Sequence, residues 1–298
     1  MRVFVTGATG FVGSAVVKEL LGSGHQVLGL ARSDAAASAL AASGAAVHRG
    51  SLDDLDSLRR GAAASDAVIH TAFIHDFSQF KANCEIDRAV IEALGAALAG
   101  TERPLVITSG TGLLTFNRAA TETDAAPSGP DVVPRVASEE AAASVAARGI
   151  RVSVVRLPPS VHGDGDHGFV PMLIAAARDK GVSAYLGDGM NRWPAVHRLD
   201  AAPVYRMALE QASAGERFHA VAEEGVPFRE IAAVIGKRLN IPVVAKSRAE
   251  AAAHFGWFAH FAGMDSPASS AQTRERLHWR PTQPGLIADL DREAYFKS

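Results

Sequence analysis

The first thirteen residues constrain this chain more than any other stretch. Val3-Phe4-Val5 is a short apolar β-type run. It leads directly into Thr6-Gly7-Ala8-Thr9-Gly10-Phe11-Val12-Gly13, and an apolar helical pattern follows from Ser14 to Leu21. A strand, a turn with regularly spaced glycines and then a helix is the order that holds a dinucleotide pyrophosphate. Gly7 permits the tight turn, Gly10 lets the backbone approach the phosphates, and Gly13 lets the helix pack close to the strand. The helix N-terminus adds free N–H groups that face the anion. The expected pyrophosphate contacts are Gly7, Gly10 and Gly13, with the backbone of Thr9, Phe11 and Val12.

The second strand, His25 to Leu30, ends in Ala31-Arg32-Ser33. A site reading NAD normally carries Asp or Glu here, for the ribose hydroxyls. A guanidinium and a hydroxyl suit a 2′-phosphate instead, because Arg makes paired, planar hydrogen bonds to phosphate oxygens. Arg32 and Ser33 therefore point to NADP(H), with Asp34 as a competing residue within reach of a ribose.

Further along, apolar β-type runs (Ala46–His48, Ala67–His70, Leu105–Thr108, Val152–Leu157) alternate with helical patterns (Ala36–Ala42, Asp53–Ala62, Phe80–Ala99, Ser138–Arg148). This alternation predicts an α/β fold, a Rossmann-type doubly wound parallel sheet, with ligands beyond the carboxyl ends of its strands. The rhythm breaks near residue 160. Residues 1–160 are expected to form the NADP-binding domain. Residues 161–298 are expected to form mainly a smaller C-terminal substrate lobe, with a segment at about 182–205 returning to the sheet.

The 298 residues suffice for both parts, and 48% hydrophobic with 21% charged residues is a globular composition. A net charge of −2 gives no steering towards nucleic acid or anionic membrane. No apolar run reaches the length of a membrane span. The single cysteine, Cys84, rules out an internal disulfide and suggests a reducing compartment. With strand one starting at residue 2 or 3, no signal peptide is expected and the location expected is cytoplasmic. Cys84 itself reads as a small buried hydrophobe. The histidines and carboxylates do not cluster at ligand spacing, so no metal is implied.

The glycine-rich turn resembles the fingerprint of the extended short-chain dehydrogenase/reductases, of the type called NAD-dependent epimerase/dehydratase-like. Gly50-Ser51-Leu52-Asp53 is similar to the family's adenine-side turn, and Asn83 to its helical asparagine. Arg156-Leu157-Pro158-Pro159-Ser160-Val161-His162-Gly163 resembles the segment after the sixth strand. Val196-His197-Arg198-Leu199-Asp200 and Leu277-His278-Trp279-Arg280-Pro281 resemble two later signatures. The resemblance spans nearly the whole chain. It implies Ser51 and Leu52 at the adenine, Thr71 and Ala72 at the ribose, and Pro158, Ser160 and Val161 at the nicotinamide. It also implies a homodimer through two long helices, Phe80–Ala99 and Ser138–Arg148, with Ala141, Ala142 and Ala143 allowing close approach.

The chain departs from this family at its chemistry. Members use a tyrosine as acid and a lysine four residues on, both on one helix face. Arg135 and Glu139 stand at those positions, and the three tyrosines, Tyr185, Tyr205 and Tyr295, all lie elsewhere. Three readings follow. The first is an NADP(H)-dependent reductase of a small, largely apolar carbonyl or imine, with another proton donor. Its candidate catalytic residues are His75 beside Asp76, His162, Ser109, Thr111 and Arg135, the last as a binder or polariser because a guanidinium is a poor acid. Phe116, His167, Phe169 and Trp193 are candidate substrate walls. A protonated imine already carries its proton, which suits the missing tyrosine. The second reading is a non-catalytic NADP(H)-binding sensor. The third is a nucleotide-sugar epimerase or dehydratase. Ser138 followed by Glu139 and Glu140 also reads as a helix N-cap with acids in the first turn.

Overall fold

Period-two burial along the first strand sets up the layers. In the computed structural model, which describes residues 1–127 and 133–297, Val3 and Val5 of β1 (Arg2–Thr6) face one side and Phe4 the other, all fully buried. The chain continues as α1 (Phe11–Gly22), β2 (Gln26–Ala31), α2 (Asp34–Ala42), β3 (Ala46–Arg49) and α3 (Leu55–Ala63). Next come β4 (Ala67–His70), α4 (Phe80–Leu98), β5 (Leu105–Gly110), α5 (Ala137–Ala147) and β6 (Val152–Leu157). The second half holds β7 (Ser160–His162), α6 (Phe169–Lys180), β8 (Ser183–Leu186), β9 (Arg192–His197), α7 (Arg198–Gln211) and β10 (Arg217–His219). It ends with β11 (Glu223–Pro227), α8 (Phe228–Leu239), β12 (Val243–Lys246), α9 (Arg248–Phe255), α10 (Ala259–Ala262), α11 (Ala271–Leu277) and α12 (Leu286–Leu290).

Seven strands form one parallel sheet in the order β3-β2-β1-β4-β5-β6-β10. The order reverses between β1 and β4, the switch point where a doubly wound sheet opens its ligand crevice. Helices α1, α2 and α7 bury Val16, Leu20, Leu40 and Tyr205 on one face. Helices α3, α4 and α5 bury Leu58, Ile91, Leu94 and Val145 on the other. A third core, around Trp193, Phe228, Ile231 and Phe258, belongs to the second lobe.

Three local expectations change. Of the stretch at about 182–205, only the part from Arg198 packs on the sheet, as α7, and the return runs on through β10 to His219. Strand β8 pairs with β12, and β9 lies between β11 and β7 in separate small sheets. The start of α7 was hidden because its cap is a histidine ring, with His197 Nδ1 accepting Leu199 N–H at 3.2 Å. Ser138 does not cap α5. A 3-10 turn at Pro134–Val136 leads into the helix, and Ser138 is buried inside it. Finally, Ala141 and Ala142 are buried against the chain's own core, so only Ala143 of that run is exposed for a helix partner.

Candidate functional site

The turn after β1 accepts no side chains where the glycines stand. Gly7 has φ +66°, and a Cβ there would lie 2.7 Å from Ala72 N. A Cβ on Gly13 would lie 2.0 Å from the Gly7 carbonyl oxygen, so α1 could not approach the strand as it does. Gly10 is the N-cap of α1, with extended backbone, no side-chain cap and no acidic residue in the first turn. Among the described residues nothing therefore competes for the first N–H groups of α1, which fits a dinucleotide pyrophosphate. Thr71 and Ala72 buttress this turn. Thr71 Oγ1 donates to Thr6 O at 2.8 Å, and Ala72 packs beneath Gly7.

At the end of β2, Arg32 is exposed, and Ser33 caps α2 by accepting Ala36 N–H at 3.2 Å. Asp34 is turned to Arg49, at 2.6 Å. Arg49 is the register partner of Ala31 on β3, so a second guanidinium stands at this edge. The linear sequence did not single it out, because only strand pairing brings it there. Ser51 and Leu52 follow β3 and are half-buried. Pro158 and Ser160 are buried, Val161 is half-buried, and the Ser160 hydroxyl has no hydrogen-bond partner among the described residues. Arg198, another residue not singled out, lies 5.0 Å over the Phe11 ring and donates to Phe11 O at 3.3 Å.

Beyond the ends of β4 and β5 lie Arg135 and Glu139, the residues that the resemblance puts at the tyrosine and lysine positions. Arg135 Nη1 donates to Asp87 Oδ2 at 2.6 Å and also to Ser138 Oγ, while Nη2 donates to Thr108 O at 3.1 Å. Its guanidinium lies 4.0 Å over the Phe73 ring. Behind it, Asp87 accepts Ser138 Oγ–H at 2.5 Å and meets His70 Nε2 at 2.9 Å, and His70 Nδ1 meets Thr6 Oγ1 at 2.6 Å. A neutral His70 satisfies this chain, donating from Nε2 and accepting from Thr6. Burial alone would raise the Asp87 pKa. The Arg135 cation and the His70 contact more than reverse that, so the carboxyl sits well below its usual range.

Glu139 is buried in a second network. It accepts Ser109 Oγ–H at 2.8 Å, Arg156 Nε–H at 2.7 Å and Arg156 Nη2–H at 2.6 Å. The Arg156 side chain is fully buried and also reaches His219 Nε2 at 3.2 Å. Desolvation opposes ionisation of Glu139, but the Arg156 partner outweighs it and lowers the pKa. Glu139 is thus a paired structural carboxylate and not only a first-turn acid. Ser109 spends its proton on it.

The candidate acids are not brought together. His75 is exposed in the loop after β4, its ring 5.1 Å from Phe73 and 6.4 Å from Phe77. Desolvation, then the Arg135 cation, lowers its pKa. Asp76 serves elsewhere, capping the Phe77–Gln79 turn through Ser78 N–H at 2.9 Å and Ser78 Oγ–H at 2.6 Å. His162, expected as a donor, is 1% exposed and paired with Asp289 at 2.8 Å, inside the second lobe. His167 is exposed, 5.7 Å from the Phe11 ring and so on the cofactor side. Thr111 is fully buried, and its hydroxyl has no partner among the described residues. Cys84 is buried, and burial pushes its thiol up to about 11, so it is no nucleophile at neutral pH.

Of the expected walls, Phe169 joins an aromatic cluster across the cleft. Phe77 stacks on Trp257 at 4.8 Å and lies 5.9 Å from Phe261 and 6.1 Å from Phe169. Trp193 is instead a core residue, fully buried and donating from Nε1 to Phe261 O at 3.2 Å. Phe116 packs in a separate small cluster with Leu113, Leu114 and Ala120. A cleft of about 540 Å³ at Arg274, His278, Trp279 and Arg280 lies at the C-terminal turn and holds none of these groups.

Comparison with known proteins agrees with this frame. The model of the NAD dependent epimerase/dehydratase family matches residues 3–222. The uncharacterized protein C2A9.02 of Schizosaccharomyces pombe is 53% identical over 297 residues, covering 99% of this chain and 100% of that protein. The 2-alkyl-3-oxoalkanoate reductase of Stenotrophomonas maltophilia is 30% identical over 266 residues, covering 83% of this chain and 78% of its own length. Among solved structures, the dTDP-glucose 4,6-dehydratase DesIV of Streptomyces venezuelae, with NAD bound, superposes with a TM-score of 0.79. The identity is 20%, over 99% of this chain and 97% of that one. The chain belongs to the NAD-dependent epimerase/dehydratase family.

Proposed function

We propose that the chain is an NADP(H)-dependent oxidoreductase that reduces a small, largely apolar carbonyl or imine without a tyrosine acid. The observation that carries this reading is the group beyond β4 and β5. Arg135 lies on Phe73, His75 stands beside them, and an aromatic cluster borders both. When bound, the nicotinamide supplies the hydride. The glycine turn, aided by Arg198, holds the pyrophosphate, and Arg32 with Arg49 holds the 2′-phosphate. Phe77, Phe169, Trp257 and Phe261 exclude water from the apolar part of the substrate, and His75 exchanges a proton with it. The related reductase acts, by its name, on an oxo acid with an alkyl branch, which supports reduction.

One observation favours the binding-only sensor. Arg135 and Glu139 both sit in buried ion pairs, as structural residues do. The nucleotide-sugar reading shares its fold with DesIV. A cytoplasmic homodimer, meeting through the outer faces of α4 and α5, completes the proposal. Optical measurement of NADPH oxidation over ketones, aldehydes and cyclic imines, with NADH alongside, tests it. Turnover with NADPH supports the reductase, whereas tight NADPH binding with no turnover favours the sensor.

A further inference from the structure

Carbonyl and imine reduction leave opposite charges beside Arg135, so the proposed reductase activity, on which this rests, can be narrowed. Hydride addition to a carbonyl carbon breaks the C=O π bond and moves that electron pair onto oxygen. One proton from solvent then completes the alcohol, and the reduced nicotinamide supplies the two electrons. A protonated imine begins as a cation and ends as a neutral amine. The first reaction needs a positive partner at the heteroatom and the second a negative one.

The charges around the site are unevenly placed. A guanidinium has five N–H donors, and three of those on Arg135 are used, on Asp87, Ser138 and Thr108. Nε–H and the second Nη2–H meet no acceptor among the described residues. Asp87 stands behind Arg135 with its oxygens already shared between Arg135, Ser138 and His70. The His75 ring meets the Phe73 ring edge-to-face at 5.1 Å. Asp76 is committed to Ser78, and Glu139 to Ser109 and Arg156. The two Arg135 N–H groups without an acceptor among the described residues therefore remain for a substrate oxygen, while the Asp87 carboxylate is already shared.

We infer that Arg135, held from behind by Asp87 and laid on Phe73, is an oxyanion-binding catalytic residue, and that the substrates are carbonyl compounds, oxo acids included, rather than protonated imines. The guanidinium takes over the charge stabilisation that a tyrosine gives elsewhere in the family, and leaves the proton to His75 and solvent.

The test pairs turnover with binding. An aryl ketone, an aryl 3-oxo acid and a cyclic aryl imine of matched size are compared with NADPH. Benzoate and benzylamine are titrated into the NADP⁺-loaded protein by calorimetry. The carbonyls are expected to exceed the imine in kcat/KM. Arg135→Gln should lower carbonyl kcat by about 10²–10³, the usual loss of one oxyanion donor, and Arg135→Lys should restore part of it. Benzoate should bind and benzylamine should not, and Arg135→Gln should remove benzoate binding. Because Arg135→Gln strands Asp87, the double variant Asp87→Asn/Arg135→Gln repeats each measurement with the pair uncharged. A faster imine, tighter benzylamine, or an unchanged carbonyl kcat in a folded variant overturns the inference and leaves the reductase reading standing. Arg135-dependent benzoate binding without any turnover supports the anion site and removes the reductase reading.

Discussion

Glu139→Lys puts a lysine where the resemblance expects one, and the structure predicts that it damages the protein. The Glu139 carboxylate accepts three hydrogen bonds, two of them from Arg156, whose side chain has no exposed surface. A lysine would leave the Arg156 guanidinium with His219 as its remaining contact and a second cation alongside. Breaking a buried ion pair costs about 3–5 kcal/mol, because the stranded charge keeps its full desolvation penalty. Against a total stability of about 5–15 kcal/mol, that is about a fifth or more for a typical protein. At roughly 2–4 °C per kcal/mol for a chain of some 200 residues, the unfolding temperature should fall by about 6–20 °C, with the low end more apt for this longer chain. Glu139→Gln keeps one acceptor oxygen and should fall between this variant and the original. Circular dichroism melts of the three proteins check it. A Glu139→Lys protein that melts with the original would refute the buried pair and the account of Ser109 built on it. The pH dependence carries the same sign. Glu139 has a lowered folded pKa, so its stabilisation is present above its ordinary value and is lost as pH falls through the folded one.

Other consequences are as direct. Gly13→Ala puts a methyl group 2.0 Å from Gly7 O and should cost NADPH affinity about fivefold or more, since overpacking of this kind costs about 1–3 kcal/mol. Gly22→Ala, in open space at the end of α1, should leave the affinity unchanged; equal affinities of the two variants in a fluorescence titration would dismiss the cradle. Arg32→Ala should weaken NADPH and spare NADH, as read from their separate dissociation constants, and equal losses for both would remove the 2′-phosphate role. His219 is buried and its pKa is lowered, chiefly by desolvation. Its neutral form is the folded one, so stability should decline as pH drops below the ordinary histidine value, and His219→Gln should flatten that limb of a pH-stability curve. Trp257→Ala should raise KM for apolar substrates more than it changes kcat, because its ring stacks on Phe77 at the cleft rim.

What could be read in advance was local. The strand, turn and helix at the N-terminus lie within a single run, and their geometry follows from glycine sterics alone. The resemblance also singled out Arg135 and Glu139 by their spacing. What these residues do was not visible, because Asp87 lies 48 residues before Arg135 and Arg156 17 residues after Glu139. His162 looked available from its position after β6, yet its partner Asp289 is 127 residues away. Trp193 could have lined a pocket or filled a core, and only the packing of Phe169, Phe228 and Phe258 around it decides for the core. Arg49 became visible beside Arg32, at the end of β2, only through its register with Ala31.

The backbone crosses between the two lobes more than once, and this affects how the protein can be taken apart. After β9 the chain leaves the second lobe, lays α7 on the sheet, adds β10 at its edge and then goes back. Asp200, in the first turn of α7, binds the C-terminal stretch, accepting Thr282 N–H and Gln283 N–H at 2.9 Å each, while its carbonyl takes the Trp279 indole at 3.0 Å. A cut at residue 160 would leave the sheet without its last strand and one of its helices. It would also leave the second lobe with its closing segment unanchored. The second lobe is therefore not a cassette that can be exchanged between relatives. Chimeras should be made by grafting loops at the strand ends, leaving the interlaced frame whole.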